Sequence, residues 1–159
     1  MAGFAKDRKW TITEKNKSAI KSMEIGEKTE GFVKKRQEME EGISRIPDDL
    51  PQELQQEVDR AIENARKEME AEGTELANEA KEAQEEADET IENIRDIASD
   101  YQKKAQKFTD LSQIPLIGSF SETKANELND QVEQLTDLAL ETQQYSDSLA
   151  ASRNRILNK

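Results

Sequence analysis

The chain has 159 residues, of which 36% are charged, 33% apolar and 4% aromatic, and its net charge is −12. So small an apolar share excludes a thick core. With no cysteine or histidine, disulfides, thiolate or imidazole metal ligands, cysteine nucleophiles and imidazole-based triads are excluded as well.

Residues 1–12 read as an N-terminal arm. The arm turns charged at Lys6 and lacks the apolar stretch of a signal peptide. No later run approaches the ~20 apolar residues of a membrane span. A soluble chain is therefore expected, either cytoplasmic or exported without a cleavable leader. Trp10, with Phe4 and Ile12 nearby, either packs on the body of the protein or anchors a partner, since tryptophan is enriched at interface hot spots.

A single elongated helical domain is expected over residues 13–159. Its first helix spans about 13–45, with Ile25, Phe32, Met39 and Ile46 recurring every seven residues along one stripe. Gly26, Gly31 and Gly42 each cost up to ~1 kcal/mol relative to alanine, so the sequence leaves open whether this helix is continuous across Gly26 to Gly31. Pro47 and Pro51 mark a turn, after which Asp49 and Gln52 match the N-cap and N3 positions of a capping box.

The second helix runs from about 50 to 108, roughly 85–90 Å of uninterrupted rod. Ala80, Ala87, Ile94, Tyr101 and Phe108 are seven apart, and Met69, Leu76, Ala83 and Ile97 interleave with them as in a coiled coil. A corner at Pro115 follows, with Ser119 and Glu122 again three apart. The third helix, about 120–157, carries Leu128, Leu135, Leu149 and Ile156 at intervals of seven or fourteen.

Short connections make successive helices antiparallel. The expected fold is all-α: an elongated antiparallel three-helix bundle of coiled-coil type around one very long central helix. The outer helices should overlap near residues 70–85, where Gly73, Ala77, Ala80 and Ala83 are slim. Charge agrees. Residues 68–92 hold eleven acids and one base, Lys81, for −10, whereas residues 1–36 hold ten bases and five acids, for +5. Folding back would set Lys15, Lys17, Lys21 and Lys28 beside residues 68–82, and Arg153, Arg155 and Lys159 toward residues 70–75. The alternative is a parallel dimeric rod through the second helix, which sets two like-charged faces together.

For chemistry, Glu85 and Asp88 could in principle act as acid and base, but that needs a pocket that shifts their pKa values. No EF-hand loop, GxxxxGK[ST], GxGxxG or GxSxG motif occurs. The expectation is a non-enzymatic protein with no cofactor, no metal and no small-molecule substrate. The basic residues Lys6, Arg8, Lys9 and Lys34 to Arg36 read as partners of the acidic helix, so nucleic-acid binding is not expected.

The corner Ile114-Pro115-Leu116-Ile117, between Leu111 and Phe120, is unusually apolar for so polar a chain. Ile117 and Phe120 either cap the bundle end as a hydrophobic staple, or the corner is a contact site for a bilayer or a partner's groove. Candidate interaction residues are therefore Trp10, Ile114, Leu116, Ile117 and Phe120, with membrane contact confined to residues 114–118.

In outline, long antiparallel helices around a hairpin corner resemble the small helical proteins exported by type VII secretion. Their Trp-x-Gly turn is replaced here by Pro115-Leu116-Ile117-Gly118. Their trailing Tyr-x-x-x-Asp/Glu signal is missing, because Tyr145 is followed four residues later by Leu149. The expected role is a scaffold, adaptor or secretion-associated partner that binds protein partners or itself. The alternatives are a membrane-active protein inserting its corner and a structural component of a phage or injection particle.

Overall fold

In a computed structural model, which describes residues 2–158, the chain forms three helices: α1 (Ala2–Ser44), α2 (Gln52–Leu111) and α3 (Gly118–Leu157). They pack pairwise as an up-down-up bundle, with α1 and α3 side by side and antiparallel to α2. At 60 residues, α2 is about 90 Å long.

Helix boundaries depart from expectation at the N-terminal arm and at both capping boxes, and the structure decides the continuity of α1. The N-terminal arm is instead the opening of α1, because tertiary contacts hold it there: Thr11 is buried, Phe4 meets the Tyr101 ring edge-on at 5.8 Å, and the Tyr101 hydroxyl donates to Asp7 at 2.7 Å. α1 also runs unbroken through Gly26 and Gly31, since burying Ile25, Thr29 and Phe32 outweighs the glycine penalty. Finally, neither capping box forms. α2 starts from Pro51 without a side-chain cap, and α3 from Ile117, also uncapped. A helix capped by Asp49 would need helical geometry at Leu50, which the following proline disfavours. At α3 the chain has already turned at Leu116, whose φ is 76°, so the helix begins ahead of Ser119.

Because α1 is longer than expected, all three helices run together from about Met69 to Tyr101, well beyond residues 70–85. Two buried clusters fill this length. One joins Ile25 and Phe32 to Met69, Leu76, Ala80, Leu149 and Ile156. The other gathers Ile94, Tyr101, Leu128 and Leu135, with Phe4 and Phe108 partly buried against it. Gly73 is slim for a reason: a Cβ there would lie 2.7 Å from Cζ of Phe32.

Electrostatic pairing follows the antiparallel order in a shifted register. Lys28 pairs with Glu79 at 3.2 Å and Lys35 with Glu72 at 2.9 Å. Lys15, however, reaches Glu141 of α3, Lys17 pairs with Glu14 on its own helix, and Arg155 pairs with Glu30 of α1 rather than with residues 70–75. Lys159 lies outside the described residues. The cause is that α1 and α3 touch along a parallel seam, so each offers its charges to the other as well as to α2. Arg155 holds the Glu30 carboxyl below its usual pKa, chiefly through their hydrogen bond.

Candidate functional site

The bundle has three layers only in its middle, and each end is a two-helix overhang. At the first overhang, α3 stops beside Arg36. The Arg36 guanidinium donates to the Ile156 carbonyl at 2.6 Å and the Arg155 carbonyl at 3.0 Å, and Asn158 closes the helix in a left-handed conformation. These bonds satisfy carbonyls that a helix end otherwise leaves open. Past this point α1 and α2 continue as a hairpin for the whole of residues 36–69.

Burial changes where α3 ends, although the heptad stripe does not. Ile25 and Phe32 are buried, whereas Met39 and Ile43 on the same face of α1, and Ile46 just past its end, are only half-buried. On α2, Met69 and Gly73 are buried while Val58, Ile62 and Ala65 are half-buried, and Leu54 is 47% exposed. An open groove of about 370 Å³ begins at the α3 terminus, between Phe32, Met39, Met69 and Ile156. A second hollow lies near the turn, where Ile43, Ile46, Leu50 and Ile62 face Gln52 and Gln55.

At the opposite overhang α1 has ended, and α2 and α3 meet at the corner. Ile114 and Ile117 are each 43% exposed, Phe120 is 60% exposed and Leu116 wholly so. Phe120 meets Phe108 edge-on at 6.5 Å, with the Lys124 ammonium 5.9 Å from its ring centre. Leu116 is left-handed, a conformation that costs a leucine about 1–2 kcal/mol, and its side chain covers nothing. Gly118 is required by close approach: a Cβ there would stand 2.3 Å from the Ser112 carbonyl oxygen, which belongs to the backbone and cannot step aside.

Of the residues singled out from sequence, the structure brings Ile114, Leu116, Ile117 and Phe120 together at this corner. Trp10 is apart from them. It lies on α1 about a turn beyond Asp7, at a level set by the Asp7–Tyr101 bond, and is 39% exposed. The groove of the first overhang was not singled out. Its signal was the mismatch in helix length, since a third helix of about 38 residues cannot cover a second of about 60.

The perturbed ionisable groups stitch helices together. Tyr101 is pushed up to about 12 by burial first and by its bond to the Asp7 carboxylate second. No group of three or more potential metal ligands converges among the described residues, and no helix among them is long and apolar enough to cross a membrane.

Compared with protein-family models, curated proteins and solved structures, the chain matches none.

Proposed function

We propose that this chain is a non-enzymatic α-helical protein-interaction protein, a scaffold, adaptor or secretion-associated partner that binds through helix faces its own bundle leaves open. The observation that carries this reading is the fall in burial along one stripe. Met39 lies one heptad after Phe32 and two after Ile25, Ile43 lies one turn further on the same face, and Ile46 lies one heptad after Met39, yet they lack a third helix. Half-exposed aliphatic side chains in regular heptad positions suit a helical partner, whose knobs would enter the existing holes.

Photo-crosslinking tests this. A photoreactive residue at Leu54 or Ile62, introduced in the protein's native cells, is expected to capture another polypeptide, either a partner or a second copy. The same group at Glu85, on the solvated face, is expected to capture none. Equal capture from all three positions, or none from any, would overturn the reading.

A second reading rests on Leu116. A leucine held left-handed and fully exposed is strained without benefit to the chain's own packing, which suits a residue used in contact with something else. With Ile114, Ile117 and Phe120 it would enter a bilayer shallowly. Leu116→Gly relieves the strain, so thermal stability should rise while flotation with liposomes falls; flotation unchanged by the substitution, or absent from the parent chain, removes this reading.

A further inference from the structure

We infer that the groove of the α1–α2 overhang takes a basic amphipathic helix from another protein, laid end to end with α3. The inference rests on the protein-interaction reading above and names the class of partner. Three observations lead to it.

The first is shape. α3 already lies between α1 and α2 through the middle of the molecule, and past Ile156 and Leu157 the α1–α2 hairpin carries one hollow at the α3 terminus and a second near the turn. From Met69 back to Gln52 the hairpin offers about 25 Å, room for roughly 17 residues of helix.

The second is charge. Residues 36–69 contain ten acidic and five basic residues, for −5. Along the α2 edge that leads into the α3 trough, Asp59, Glu63, Arg66 and Glu70 recur at three- and four-residue spacing. Arg66 is paired with Glu40 across the hairpin, at 3.2 Å, and Arg36 is occupied by the α3 carbonyls. Glu63 shares only Lys67, itself exposed. Asp59 accepts a bond from Gln55, and Glu70 lines the groove beside Thr74. The uncompensated charge on this edge is negative, so a helix with lysine or arginine beside its apolar stripe is favoured over an acidic one.

The third observation excludes a second copy. The chain's most strongly basic stretch is residues 1–36, at +5, and its stripe is already covered by α2 and α3 through Ile25, Thr29 and Phe32. Two overhangs placed face to face would bring −5 against −5.

Two synthetic 17-residue helices make the test, both with leucine in the stripe, one flanked by lysine and one by glutamate. The lysine peptide is expected to bind the intact chain saturably and at least tenfold more tightly than the glutamate peptide. Binding should fall at least tenfold in Ile43→Asp/Ile62→Asp, although that variant adds negative charge and would strengthen any non-specific attraction to the acidic α2 face. Should the double variant lose helicity by circular dichroism, Asp59→Lys/Glu63→Lys keeps the apolar groove and should by itself lower lysine-peptide affinity about tenfold. Equal affinity for the two peptides, or binding unaffected by the variant that remains folded, overturns the inference. A doubled mass in light scattering that the groove substitutions abolish also overturns it, and leaves the protein-interaction reading standing with a second copy as the occupant.

Discussion

Where α3 lies on α2, six of the eleven buried α3 residues are apolar, namely Ala125, Leu128, Leu135, Ala139, Leu149 and Ile156, and the polar ones are Ser121, Gln131, Thr142, Ser146 and Ser152. Where α1 joins them, four of the six buried residues among those described on α1 are Thr11, Ser18, Ser22 and Thr29, with Ile25 and Phe32 completing the row. Both seams follow the same three- and four-residue spacing. A fully buried leucine contributes about 1.5–3 kcal/mol, while a buried hydroxyl must first find a hydrogen bond. Thr11 and Thr29 find theirs in their own helix, at the Asp7 and Ile25 carbonyls, 2.8 and 2.6 Å away. Heptad spacing therefore positions a helix, and the apolar content of the stripe decides how firmly it is held. By that measure α1 is the more weakly held helix, and its amides are expected to exchange with solvent ahead of those in α2 and α3.

The largest effect should come from the apolar seam. Leu135→Ala, at a fully buried position, is expected to cost about 2–5 kcal/mol in denaturant unfolding. A cost below 1 kcal/mol would mean the seam is loosely packed and the contrast with α1 is lost.

The glycines sharpen the contrast at a second level. Gly73→Ala pushes a methyl against the buried Phe32 ring and should cost about 1–3 kcal/mol, offset by up to ~1 kcal/mol of helix propensity. Gly31→Ala meets nothing within 4 Å and should stabilise by up to ~1 kcal/mol. Equal changes in melting temperature at the two positions would contradict the Phe32–Gly73 contact.

On the polar seam, Thr29→Val exchanges a self-satisfied hydroxyl for a methyl at a site 1% exposed. It should stabilise by roughly 0.8 kcal/mol. Destabilisation by the same substitution would show that the hydroxyl serves more than its own helix.

The smallest effect is the titration of the tie between α1 and α2. The folded pKa of Tyr101 is raised to about 12, above the ordinary ~10 of tyrosine, so folding favours the protonated form. Its contribution is fully present below pH 10 and is lost as pH rises toward 12. Exchange of the amides near Phe4 and Asp7 should increase over that window relative to the neighbouring turns of α2. Tyr101→Phe should show no such step.

Much of the fold was legible in the residues. The seven-residue recurrence of Ala80, Ala87, Ile94 and Tyr101 marks a stripe without reference to any partner, and Pro47, Pro51 and Pro115 lie at the two turns. Harder to see was the N-terminal start of α1, because Thr11, Ser18, Ser22 and Thr29 lack the apolar signal that announces a core face. They are recognisable only by sharing the spacing of Ile25 and Phe32. The corner residues stood out as four apolar side chains in a polar chain, whereas the half-exposed groove did not, since nothing at Ile43, Val58 or Ile62 distinguishes a covered stripe position from an open one.

Helix type, the two turns and the up-down-up order were set by local propensity, proline and stripe periodicity, all of which act over a few residues and can be read along the chain. Register was decided only in three dimensions. The long-range contacts of Asp7 with Tyr101 and of Phe32 with Gly73, together with Arg36 at the α3 carbonyls, fix how far each outer helix extends along α2. Those extents determine which apolar positions are covered and which stay open, and exposure of that kind depends on neighbours distant in the chain.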